Sequence, residues 1–136
     1  MNFKVHLFLL IFSPLCFSQE WKLIEKDSDG KIPVYVDTLS IERNESLVEF
    51  SILQNYPQTS KSQGKIIKSF QQRIIIDCVT NKKRTLYSIS FSEINGTGSV
   101  VFRDDFTNEV SWEKIKKNTL LGIVGKKICK KDVFFT

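Results

Sequence analysis

Residues 47–53 alternate between apolar and polar side chains, with Val48, Phe50 and Ile52 on one side, the period-two signature of a half-buried strand. The same period runs through 70–78. It places Phe70, Ile74, Ile76 and Cys78 on one face and Gln71, Arg73, Ile75 and Asp77 on the other, so the cysteine points into the core. In 32–37, Ile32, Val34 and Val36 alternate against Pro33, Tyr35 and Asp37, and Pro33 suits an edge or a strand start. Over 85–91, Tyr87, Ile89 and Phe91 oppose Leu86, Ser88 and Ser90, and a turn at Thr80-Asn81-Lys82-Lys83 joins this segment to 70–78 as an antiparallel hairpin. A first strand is expected over 21–25 with Trp21 and Leu23 on one face, and later ones over 99–102 and over 109–115 around Trp112. Turn residues gather at Asp27-Ser28-Asp29-Gly30, near Asn44, at Asn95-Gly96-Thr97-Gly98 and at Asp104-Asp105. Residues 54–63 lose the alternation. Pro57, Thr59, Ser60 and Ser62 predict the longest loop of the domain there, the kind of segment that often carries binding.

The period changes from 2 to 3.6 only near the C-terminus. In 119–129, Leu120, Leu121, Val124 and Ile128 recur at helical spacing with Cys129 beside them, Asn118 or Thr119 is placed to cap, and lysines gather at the far end, where the helix dipole favours them. Gly122 and Gly125 each cost on the order of 1 kcal/mol against Ala, so this helix depends on packing, and the same glycines let it approach a sheet closely. The pattern is therefore α+β: a mostly antiparallel sheet with a C-terminal helix packed on one face.

The first residues do not join that core. Lys4, the apolar run 5–12 and Cys16-Phe17-Ser18 have the order of a secretory signal peptide, which predicts removal of 1–18 and a single domain over 19–136. The apolar run is shorter than the ~20 residues that span a bilayer, and Pro14 interrupts it. Lipidation at Cys16 is the minor alternative, because Leu15 and Ser13 stand where a lipoprotein box wants a small residue and a leucine. Export implies an oxidising compartment, so the remaining Cys78 and Cys129 are expected to pair and staple the helix to the strand. A bridge closing so long a loop is worth roughly 4 kcal/mol in the chain-entropy account.

The chain has 136 residues, 41% of them hydrophobic and 11 of them Phe, which is enough for one core. Losing 1–18 removes Lys4 and no acidic residue, so the formal charge falls from +5 to +4. It also removes His6. The mature chain then lacks histidine, which excludes histidine-based catalysis and histidine metal ligands, and its lack of methionine beyond Met1 removes the other usual haem ligand. Asp27/Asp29 and Asp104/Asp105 read as turn residues rather than acid/base pairs, and a calcium loop through Asp27 and Asp29 fails at Val36, where a bidentate Glu is required. No enzyme, metal or cofactor is expected. Asn44-Glu45-Ser46 and Asn95-Gly96-Thr97 match glycan acceptors but sit where turns are needed.

The charge is concentrated at the C-terminal end. Lys114, Lys116, Lys117, Lys126, Lys127, Lys130 and Lys131 fall in a stretch without an acidic residue and form the candidate binding face for an anionic partner, or else a solvated helix face. Lysine without Arg or interleaved aromatics argues against nucleic acid. Beyond it, Val133, Phe134 and Phe135 form a tail that either packs or stays exposed.

Trp21, Tyr35-Val36-Asp37 followed by Ser40-Ile41, Asn55-Tyr56, Ser69, Asp77-Cys78, Trp112 and a helix closing on Cys129 stand in the order found in one bacterial family. In these residues the chain resembles the surface-adhesin protein E family over nearly the whole mature length. The resemblance implies an antiparallel sheet of about six strands with a C-terminal helix packed on it. It also implies an exported, non-catalytic binding domain, because the namesake adhesins sit at the outer surface, bind host matrix glycoproteins such as laminin and vitronectin, and associate as dimers. The expected partner is a protein or glycoprotein of the extracellular matrix, or another anionic surface. The alternative is a periplasmic structural or accessory protein whose sheet edge pairs with a second copy or an envelope component.

Overall fold

The computed structural model describes residues 18–26, 32–109 and 111–130. The expected signal peptide through residue 17, Cys16, the Asp27-to-Gly30 turn, Lys131 and the Phe134-Phe135 tail lie outside them. Among the described residues, seven strands form one antiparallel sheet: β1 Trp21–Lys26, β2 Pro33–Asn44, β3 Leu47–Ser62, β4 Lys65–Asp77, β5 Lys82–Phe91, β6 Val100–Asp105 and β7 Glu113–Lys114. The first six are neighbours in chain order, and β7 pairs with the start of β5 while β6 pairs with its second half. Such a meander needs only tight turns, and the turns carry the backbone they require: Glu45, Asn81 and Asn95 have φ of 53°, 54° and 61°.

The helix α1 Leu120–Cys129 starts where expected. Thr119 caps it, accepting from the Gly122 amide at 3.2 Å and donating to the Lys116 carbonyl at 2.7 Å. Its apolar stripe lies on the sheet face built by Val34, Val36, Val48, Phe50, Ile52, Ile74 and Ile76, with Val124, Ile128 and Ile115 closing the core from above. Each such fully buried side chain contributes about 1.5–3 kcal/mol relative to exposure. Gly125 is buried against Ile76, whose Cδ1 lies 3.0 Å from where a Cβ would stand, so a side chain there would lift the helix. Three further ties hold it. Cys78 and Cys129 are disulfide-bonded, Arg43 donates to the Ile128 carbonyl at 2.8 Å, and Lys127 donates to the Ile24 carbonyl and to Glu25, both at 2.9 Å.

The opposite face is buried by polar side chains. Asp37, Ser51, Ser69 and Gln71 are each under 10% exposed, and Arg73 lies on the same face. Its guanidinium donates to Glu49 at 2.7 Å, to the Ser40 carbonyl at 2.8 Å, to Ser51 at 3.3 Å and to Glu42 at 3.1 Å. Farther along, the 3₁₀ turn Ile94–Gly96 lies on Leu53, pinned by Ser69, which donates to the Glu93 carbonyl at 2.6 Å and accepts from the Gly96 amide at 2.9 Å. Asn55 and Asn95 exchange two further bonds of 2.8 and 2.7 Å.

Two expectations change, those for residues 54–63 and for the segment around Trp112, and the structure adds detail to two others. Residues 54–63 are not a loop: β3 runs to Ser62 and pairs with β4 through Ser60↔Ile67, Lys61↔Ile66 and Ser62↔Lys65. The chain reverses at Gln63-Gly64 with φ of 49° and 75°, a two-residue hairpin turn whose glycine signal was masked by the polar stretch before it. This arm passes beyond the last paired residues of β2 and β5, so it needs no alternating core pattern. Leu23 is 52% exposed, because β1 is an edge strand among the described residues and an irregularity between Leu23 and Glu25 turns Ile24 into the core instead. Phe70 stays on the helix-side parity but lies beyond the helix and is only half-buried. The segment around Trp112 shrinks to the two-residue β7, and Trp112 is 36% exposed.

Candidate binding surface

Of the seven lysines, the six that are described, all but Lys131, do not form one face. Lys114 lies on β7 directly opposite Lys82, two exposed like charges on neighbouring strands, while the next pair, Lys83 and Glu113, forms an ion pair of 2.9 Å. Lys116 is exposed on the segment leading to the helix. Lys127 points the other way, to β1, where its hydrogen bond is the chief cause holding the Glu25 carboxyl below the usual carboxylate range. Its role is to dock the helix. Lys117, Lys126 and Lys130 come together around a groove of about 670 Å³ between α1 and the end of β4.

The groove follows from local chemistry. Gly122 sits hard against the carbonyls of Lys116 and Lys117, which brings Lys117 alongside the first turn of the helix. Lys126 lies in the last turn of that helix and Lys130 is its C-cap four residues on, and both line the groove. Between the lysines lie the half-buried Cys78–Cys129 bridge, Gly122 and, beneath them, Ile76 and Gly125. Among the described residues, none that lines the groove is acidic and none of the three lysines has an ion pair. The turn after β4 forms one wall. Asp77 fixes it by accepting from the Thr80 hydroxyl at 2.7 Å and the Val79 amide at 3.0 Å, and these bonds, the Thr80 hydroxyl first, hold its carboxyl below the usual range. Asn81 presents its amide to the groove while donating to the Ile115 carbonyl at 3.1 Å.

A smaller pocket of about 200 Å³ lies on the same side of the sheet, under the 106–113 segment, with Gln72, Ser88 and Arg84 in its wall. Arg84 donates to the Thr107 carbonyl at 2.6 Å, while its Nε is buried with no partner among the described residues. On the projecting arm, Lys65 stands 5.3 Å over the ring of Phe102 and burial pushes the Tyr56 hydroxyl upward in pKa. Among the described residues there is no cluster of three acidic, Cys or His side chains able to hold a metal ion, and no helix long and apolar enough to cross a membrane.

Reasoning from sequence found the lysines but not their division, which depends on helix phase and on where β1 lies. It missed Asn81 and Asn118, which read as turn and cap residues yet line the groove.

The pattern of the family described as surface-adhesin protein E matches residues 21–130. The chain belongs to that family. Solved structures of Haemophilus influenzae protein E share the fold: one crystal form is 18% identical over 71% of this chain and 79% of that chain, with a TM-score of 0.54. A selenomethionine form is 15% identical over 82% and 92%, with a TM-score of 0.56. A third structure is 17% identical over 80% and 83%, with a TM-score of 0.54. No curated protein matches the sequence. The match begins at Trp21 and ends one residue after Cys129, so it takes in the whole sheet, the helix and the bridge between them. At such identity the likeness carries the architecture and not the surface, since binding resides in side chains that the shared scaffold leaves free to vary.

Proposed function

We propose that this protein is an exported, non-catalytic adhesin of the bacterial surface, made as a precursor whose first 18 residues are removed, and that residues 19–136 bind host matrix glycoproteins. The observation that carries this reading is membership in the surface-adhesin family over residues 21–130. The clustering of Lys117, Lys126 and Lys130 without acidic partners among the described residues supports a protein or glycoprotein partner of negative charge, and the exposed Lys82 and Lys114 extend the basic surface toward β5. Purified protein binding to immobilised laminin or vitronectin, weakening as salt rises from about 0.05 to 0.5 M, is the expected result. Absence of binding to either at low salt contradicts it.

A second reading rests on the sheet edges. Among the described residues β1 and β6 each pair on one side only, and such an edge is a template for a second copy or for an envelope partner, which is the accessory role in the periplasm. A homodimer through such an edge is compatible with either role. Light scattering of the purified protein separates monomer from dimer.

A further inference from the structure

We propose that the groove between α1 and the end of β4 takes an acidic peptide segment with an apolar side chain at its centre. This rests on the adhesin reading for the partner being a protein, and names the chemistry that partner presents. Three features of the site select the occupant. Its positive charge is distributed: Lys126 and Lys130 are separated by one turn, about 6 Å along the axis, and Lys117 precedes the helix altogether. A ligand with a single anionic head meets one or two of these ammonium groups, whereas an extended chain with several carboxylates meets all three. Its floor is not charged: the Cys78–Cys129 bridge and Gly122 offer a surface with no polar side-chain atom, backed by the buried Ile76 and Gly125. A purely polar polyanion would leave that floor uncovered, and an apolar side chain covers it. The remaining wall is amide. Among the described residues the Asn118 side chain makes no hydrogen bond, and the Asn81 Nδ2 is used on Ile115, which leaves the Asn81 Oδ1 for a backbone N–H of the ligand. The volume, about 670 Å³, is in the range of sites that enclose a compact ligand.

The test uses the full chain and the peptide fluorescein-Asp-Glu-Phe-Glu-Asp-amide, labelled at its amino terminus, read by fluorescence anisotropy. Binding is expected to weaken about fivefold when the central Phe is replaced by Ser, and to fall with rising salt. Lys117→Glu, Lys126→Glu and Lys130→Glu should each weaken it about threefold to tenfold, whereas Lys61→Glu on the projecting arm should leave it unchanged. All four positions are exposed, and unchanged melting temperatures confirm that the variants fold. Equal binding by the Lys61 variant and the groove variants overturns the proposal. So does equal binding of the Ser peptide, or equally tight displacement by a sulfated oligosaccharide, since either reduces the groove to an unselective lysine cluster. Binding by a chain ending at Lys130 but not by the full chain also overturns it, because the chain's own last residues would then be the occupant. The two readings fail separately. Matrix-protein binding that survives all three reversals removes the groove and leaves the adhesin, whereas peptide binding without matrix binding removes the matrix partner and leaves the groove.

Discussion

The two faces of the sheet are buried by different chemistry. On the helix side, Phe50, Ile74 and Ile76 lie under Val124 and Ile128, and their stability comes from apolar area removed from water. On the other side, Ser51, Ser69 and Arg73 are joined by hydrogen bonds to side chains, carbonyls and the 3₁₀ turn. The first mechanism is non-directional and tolerates exchange of similar residues. The second is directional, and each partner lost leaves another group unsatisfied.

That contrast can be broken from either side. The double variant Cys78→Ser/Cys129→Ser should lose about 4 kcal/mol, read as a shift of the urea midpoint, because it frees the helix that closes the apolar face. Ile74→Ala should cost about 3 kcal/mol through loss of burial and a residual cavity. On the polar face, Arg73→Met should cost about 2 kcal/mol by leaving Glu49 and the Ser40 carbonyl without their donor. Arg73→Lys should recover only part of this, since one ammonium cannot span the four acceptors. Ser69→Ala should cost about 1 kcal/mol and speed hydrogen exchange at the Gly96 amide, a local signal that Ile74→Ala should not produce.

The smallest effect expected is in pH. Asp77, Glu20, Glu25 and Asp105 all have pKa values lowered in the folded state by hydrogen bonds, the largest being from Thr80, Thr38, Lys127 and Thr107 respectively. A depressed folded-state pKa contributes stability that is present above the unfolded value and is lost as pH falls through the folded one. Urea midpoints should therefore be level near neutrality and decline below about pH 4. Asp77→Asn should flatten part of that decline.

The apolar face was legible because area burial leaves a period: Val48, Phe50 and Ile52 point to it two residues apart, and Leu120, Leu121, Val124 and Ile128 return at helical spacing. Cys78 and Cys129 belong to those same patterns, so their pairing was legible too. The polar face leaves no such trace. Nothing in Arg73, Ser40, Glu42 and Glu49 as residue types says that they meet, because the strand register and the irregularity in β2 between Asp37 and Glu42 bring them together. The arm formed by β3 and β4 was unreadable for a related reason: strands paired outside the core need no alternation, so Ser60 and Ser62 looked like loop. The groove lies between these cases, its lysines visible as composition but sorted only by helix phase, which sends Lys127 to β1 and Lys126 and Lys130 to the opposite side.

The claim on which the functional account depends is that this domain works outside the cell. Protease treatment of intact cells, compared with cells whose outer envelope has been permeabilised and followed by immunoblot, addresses it without assuming a ligand. The account predicts digestion on intact cells. Protection until permeabilisation would contradict it and leave the sheet-edge accessory role in its place.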